Sequence, residues 1–196
     1  MTALLGGPAT ASVLFTSFIG SDAGGDTTNS TFEGLQFTAT ASGQLWQVIF
    51  QGFPLDSANP VTWPLTLYQD AGGEPGVALE TWNVSNLSSA ALRVTLDSVV
   101  QPTITAGQTY WLVLQNTTPG TVADMGWEVY NGTTLGYDIG QSDALNSMAN
   151  AFPGTPGAGL ELDSVPEPAS SALIGAGCLL LLAMAWRRKA RGSALA

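Results

Sequence analysis

The 196-residue chain contains no histidine, and its single cysteine, Cys178, sits in an apolar run near the C-terminus. Lack of histidine removes the usual general base, the Ser-His and Cys-His nucleophile pairs and the commonest transition-metal ligand. One thiol supplies neither an intrachain disulfide nor a structural zinc site. Carboxylate chemistry remains, with fifteen Asp and Glu against five Lys and Arg. A suitably spaced carboxylate pair is enough to hydrolyse a glycoside. Glu80, Asp124 and Glu128 are candidates, as in any acidic chain. Asp22, Asp26 and Asn29 in one Gly-rich loop, and Asp70 with Glu74 in another, offer the hard oxygen ligands that calcium prefers. Neither set has EF-hand spacing, and acidic turns also serve simply to keep a domain soluble. Trp46, Trp63, Trp82, Trp111 and Trp127 raise stacking on sugar rings as a further chemistry. In alternating strands most tryptophans are instead core residues with their N–H groups satisfied locally. Trp63, between Thr62 and Pro64, is expected to be the most exposed and is the candidate glycan contact.

The charges are divided along the chain. Every carboxylate lies before Ala169 and only Arg93 of the basic residues does, so the chain through Pro168 carries −14 and the remainder +4. A body of that charge repels nucleic acid, which excludes it as a partner. Ala169 to Trp186 is free of charge and holds Leu173, Ile174, the run Leu179 to Leu182 and Met184. Its eighteen residues would span about 27 Å as a helix at ~1.5 Å per residue. That suits a hydrocarbon core roughly 30 Å thick, where a helix satisfies its own backbone. Arg187, Arg188, Lys189 and Arg191 follow, a membrane stop that places the C-terminus in the cytoplasm and the body beyond the inner membrane. Immediately before the span, Pro166 and Pro168 clamp φ and hold Val165 and Glu167 extended. Pro166-Glu167-Pro168 is thus a stiff segment presented to any enzyme that reads or cuts an extended peptide.

A Pro-Glu-Pro followed at once by a span and a basic cluster resembles the PEP-CTERM sorting signal, over Val165 to about Gly192. The resemblance implies export, recognition by an exosortase-type processing enzyme, cleavage near Pro166-Glu167-Pro168, and removal of the helix. Such a signal is an address and leaves the role of the delivered body open. At the other end Ala9-Thr10-Ala11 has the small-x-small form of a signal-peptidase site. Residues 1–11 are therefore expected to be the remnant of a truncated signal peptide.

About 150 residues of body are enough for one domain with a real core. Strand-type runs recur at Ser12–Ile19, Phe32–Ala39, Gln44–Gly52, Thr62–Gln69, Ala78–Val84, Ala91–Val99, Thr109–Gln115 and Met125–Tyr130, separated by turn signals. The segment Gly20–Ser30 reads as a polar loop, and Asp70 to Gly76 as the densest turn cluster. In Thr109–Gln115, Tyr110, Leu112 and Leu114 share one face while Trp111, Val113 and Gln115 share the other. The pattern predicts a mostly β fold, an antiparallel two-sheet sandwich (jelly-roll-like) over residues 12–140, plus one C-terminal transmembrane helix over residues 169–186. Residues 141–165, small, polar and Gly/Pro-rich, read as a flexible stalk, with the sorting signal in residues 166–192. The run Leu67-Tyr68-x-Asp70-x-Gly72-Gly73-x-Pro75-Gly76, then Leu79, Ile104 to Leu114 and Trp127, resembles the choice-of-anchor β-sandwich domains of exported bacterial proteins. That family carries no established activity onto these residues. Asn29, Asn83, Asn86, Asn116 and Asn131 begin Asn-x-Ser/Thr sequons, which in so Ser/Thr-rich a chain reflect composition.

The expectation is a non-enzymatic exported surface or matrix protein with no cofactor, or calcium at most. Its partners would be the sorting enzyme, transiently the inner membrane, and the exopolysaccharide layer. A glycan-binding module and, more distantly, a carboxylate-pair glycoside hydrolase are the alternatives.

Overall fold

Period-two alternation of apolar and polar residues makes a strand bury one face, and β-branched and aromatic residues suit that half-buried surface. The computed structural model describes residues 11–18, 22–27, 31–54, 63–85, 92–115, 125–130, 139–142, 144–145 and 157–165. Among them the strands are β1 (Val13–Thr16), β2 (Asp22–Thr27), β3 (Phe32–Thr38), β4 (Gly43–Pro54), β5 (Trp63–Asp70), β6 (Pro75–Val84), β7 (Leu92–Asp97), β8 (Thr103–Ile104), β9 (Thr109–Gln115), β10 (Met125–Tyr130), β11 (Ile139–Ser142), β12 (Gly157–Ala158) and β13 (Leu160–Ser164). They form two antiparallel sheets. One runs β11-β3-β9-β5-β6; the other runs β1-β13-β4-β10-β12, with β7 and β8 also on β4 and β2 also on β10.

The inner faces of both sheets meet in one apolar cluster. Leu14 and Phe15 of β1, Leu45, Val48 and Phe50 of β4, and Leu160 and Leu162 of β13 come from the larger sheet. Leu35 and Phe37 of β3, Leu65 and Leu67 of β5, and Tyr110, Leu112 and Leu114 of β9 come from the smaller one. Phe37 bridges the two sets, its ring centroid 4.8 Å from that of Phe15 and 5.8 Å from that of Tyr110. The two faces expected for β9 are the observed ones: Trp111 and Val113 lie on the outer side with Phe32, Tyr68 and Leu145.

An edge of the sandwich is closed by polar groups. Trp82 on β6 donates its Nε1–H to the Asp97 carbonyl at 2.9 Å, and two residues earlier Glu80 accepts from the Ser98 hydroxyl. The other Glu80 oxygen accepts the backbone N–H groups of Val99 (2.7 Å) and Val100 (3.2 Å). A strand of the smaller sheet is thereby fastened to the turn that ends β7 of the larger one.

Two sequence expectations are corrected here. Asp22 to Thr27 is a strand rather than part of a loop, paired along β10 with Asp26 opposite Trp127 and Asp22 opposite Tyr130. Backbone pairing needs no apolar side chains, so the Gly-rich composition concealed it. The expected stalk is also displaced, because residues 157–164 carry β12 and β13, and the sandwich unit runs from Ser12 to Val165. Among the described residues no helix is long and apolar enough to cross a membrane; the expected span, residues 169–186, lies outside them, as do residues 1–10.

Candidate functional site

The strand that hands the chain on to its C-terminal tail is built into the centre of the larger sheet. β13 pairs with β4 on one side, Leu160 opposite Phe50 and Leu162 opposite Val48, and with β1 on the other. Leu160 and Leu162 are fully buried. Two serines clamp its ends to the start of the domain. The Ser17 hydroxyl accepts the Leu160 N–H at 2.7 Å and donates back to the Leu160 carbonyl at 3.2 Å. At the far end the Ser164 hydroxyl accepts the Ser12 N–H at 3.0 Å, while the Ser164 N–H donates to the Ser12 carbonyl at 2.8 Å. Gln47 donates to the Asp163 carboxylate at 2.7 Å. The last link is the Val165 N–H, which donates to the Gln44 carbonyl at 2.8 Å. One residue later the chain reaches Pro166.

Gly43 makes this closure possible. A Cβ built there would lie 2.9 Å from the Ser164 Cβ and 3.2 Å from Leu14 Cδ2, closer than packed carbons tolerate. Gly43→Val is therefore expected to push β4 and β13 apart at the exit and to destabilise the domain by about 1–3 kcal/mol, the usual effect of overpacking. Thermal unfolding, together with protease susceptibility of the bonds around Val165, measures both consequences.

The segment that follows decides what this exit is. Residues 164–189 match the family model of the PEP-CTERM protein-sorting motif. The chain carries a PEP-CTERM sorting signal. It therefore encodes an exported protein, membrane-anchored and then sorted to the surface through exosortase processing. Among curated proteins none matches the chain. The motif begins at Ser164, inside β13, so the PEP-CTERM signal is joined to the folded body without a spacer. Pro166, Glu167 and Pro168, and the basic residues Arg187, Arg188, Lys189 and Arg191, lie outside the described residues.

The remaining candidates are redistributed by the fold. Trp63 is not an exposed sugar platform: it is 7% exposed on the inner face of β5, in line with Leu65 and Leu67. Trp82 and Trp111 are buried as well, and among the described residues the tryptophan that reaches solvent is Trp46, at 40%; the side chain of Trp127 lies outside them. Asp22 and Asp26 lie on β2, whereas Asn29 is outside the described residues, so the three are not one loop. Asp124 is also outside them, and Glu128 is on β10 opposite Gly25. Glu80 spends both carboxylate oxygens on the Ser98–Val100 turn.

Asp70 is the carboxylate whose role the sequence did not disclose. Its Oδ1 accepts from Trp111 Nε1 at 2.8 Å and from Gln36 Nε2 at 2.9 Å, joining β3, β9 and β5 on the outer face of the smaller sheet. Its Oδ2 accepts the N–H groups of Gly73 at 3.0 Å and Gly72 at 3.1 Å. Both glycines have positive φ, 79° at Gly72 and 96° at Gly73, which side chains disfavour. Partial burial pushes the Asp70 carboxyl upward, but the donors at Gly73, Trp111, Gln36 and Gly72 together outweigh it and hold the carboxyl below its ordinary value. The Asp-x-Gly-Gly spacing was the available signal, since a carboxylate commonly accepts from amides two and three residues on.

Proposed function

We propose that the protein is a non-enzymatic component of the cell surface or extracellular matrix, whose β-sandwich is delivered by its PEP-CTERM signal and whose one reaction is to be the substrate of the sorting enzyme. The observation that carries this reading is the spacer-free junction of β13 with the signal. The delivered unit is the whole sandwich, and the stretch open to processing begins after the last clamped amide, that of Val165. The uses found for carboxylates support it too. Glu80 and Asp70, nominated for hydrolysis and for calcium, hold turns in place through their own hydrogen bonds. The role calls for no catalysis and no cofactor. In the membrane-bound stage the apolar segment 169–186 spans the inner membrane, with the sandwich outside and the basic cluster inside.

Intact mass of the protein from its native host, beside a strain lacking the exosortase, tests this. The expected mature form retains the sandwich from Ser12 through Val165 and lacks the arginine-rich tail, and the deletion strain retains the tail. Persistence of the entire tail in both strains would sink the sorting reading. A mature C-terminus before Leu160 would sink the delivery of an intact sandwich.

A further inference from the structure

The end of the sandwich from which the chain leaves is also where its exposed apolar residues gather. Antiparallel pairing brings together the start of β1, the start of β4, the end of β7 and the end of β13. The end of β5 and the start of β6 lie at this same end, because β3 runs into β4 through Ala39–Ser42 and pairs through β9 with β5. Among the described residues the exposed large apolar side chains are Val13, Trp46, Val77, Val99 and Val100, and every one belongs to these strand ends or to the turn after β7. Val99 is 88% exposed and Val100 64%.

The turn bearing the two valines leaves no amide donor for water to satisfy. Ser98 N–H donates to the Trp46 carbonyl at 2.8 Å, Val99 and Val100 N–H to Glu80, and Gln101 N–H to the Ser98 hydroxyl at 2.9 Å. Pro102 has no N–H. With its N–H groups engaged, the turn can bring the two valines to the hydrated headgroup layer without stranding a backbone donor, and unpaired polar groups are what make such contact expensive.

We propose that this end of the sandwich, with Trp46, Val99 and Val100 as its contacts, rests on the lipid surface of the membrane that holds the anchor. The proposal depends on the membrane-bound stage described above. The length of the connection commits it to lipid. Val165 is fixed to Gln44, two residues from Trp46, a separation of about 7 Å along a strand. The expected span begins at Ala169, four residues on, and four extended residues reach at most about 14 Å. The headgroup layer is itself roughly 6 Å deep on each side. A body tethered within so few residues brings its exit end to the headgroups, where tryptophan is favoured. The carboxylates of Glu74 and Asp97 border this end, and the body's lone cation, Arg93, is engaged over the Phe18 ring at 4.0 Å. Zwitterionic lipid is therefore the preferred surface, and anionic lipid weakens the contact by charge repulsion.

The full chain reconstituted in phosphatidylcholine vesicles, with or without bromine near the top of one acyl chain, provides the test. Flotation reports anchoring, and the emission lost between wild type and Trp46→Phe reports Trp46. The expected result is flotation with bromine quenching of Trp46, diminished by added phosphatidylglycerol and abolished in Val99→Asp/Val100→Asp, which changes solvent-facing turn residues only. Flotation with equal Trp46 emission in brominated and plain vesicles overturns the lipid contact while leaving the anchor intact. Failure to float overturns both. A Trp46 change that needs added exosortase, and not lipid, overturns the proposal in favour of a protein contact.

Discussion

A chain truncated after Gly159 is expected to lose cooperative unfolding, whereas one truncated after Val165 keeps the thermal midpoint of the intact sandwich. The two differ by six residues, and the shorter lacks only the final strand. That strand contributes Leu160 and Leu162, both fully buried, each of which stabilises by roughly 1.5–3 kcal/mol. Its removal also uncovers Val48 and Phe50 of β4 and deprives β1 of the partner that holds Leu14 and Phe15 in the core. Together these losses reach the whole stability of an ordinary domain, about 5–15 kcal/mol. Circular dichroism melts and urea titrations of the two truncated chains read the difference. Equal midpoints would mean that β13 is an accessory strand, and the delivered unit would have to be redrawn. The same physics constrains the sorting enzyme, since a cut before Leu160 destroys what it releases.

The second large effect is expected at Asp70. Asp70→Ala strands the indole N–H of Trp111, which is 1% exposed, and removes the acceptor for Gln36. An orphaned buried donor costs about 1–3 kcal/mol, and the loss of the charged acceptor at Gly72 and Gly73 loosens the turn as well. A destabilisation of about 3 kcal/mol is the expected outcome, with Asp70→Asn intermediate because its amide nitrogen would face the glycine donors. The pH dependence follows from the lowered carboxyl. The folded state holds this proton less readily than the unfolded chain, so the Asp70 contribution is complete above its ordinary value of 3.8 and is withdrawn as pH falls from there toward the folded value. The gap in melting temperature between wild type and Asp70→Asn should therefore be widest near neutrality and narrow below about pH 4. A gap unchanged down to pH 2 would show that the carboxylate charge contributes nothing to the turn.

Legibility in the sequence varied with how local each signal was. The limits of β10 and the two faces of β9 are legible locally, because a run such as Thr109–Gln115 states its period by itself. The alternation Leu160-Glu161-Leu162-Asp163 was present too, but it is short and set among Gly and Pro, and the composition of its surroundings concealed a central strand. β2 carried no side-chain signal at all, as its pairing with β10 is a matter of backbone alone. The burial of Trp63 is concealed for a related reason. The neighbouring prolines suggested exposure, while the series Trp63, Leu65, Leu67 on one face of β5 placed it inside.

By itself the sequence determined where the protein is sent. The division of charge, the Pro166-Glu167-Pro168 tripeptide and the run that follows are contiguous, and a contiguous pattern acts on its reader without a fold. It also determined that the body is made of strands, since period two is a property of neighbours in the chain. Only the tertiary structure decided that Trp46 meets solvent and Trp63 does not. Leu45 and Val48 both face inward, so β4 must carry a bulge between them, and it falls where β13 shifts register from Gln47 to Leu45, leaving Trp46 outward. That shift is set by a strand lying 116 residues away, as the Gln47–Asp163 hydrogen bond records. No local pattern contains the position of so distant a partner, because it is fixed by the packing of the two inner faces.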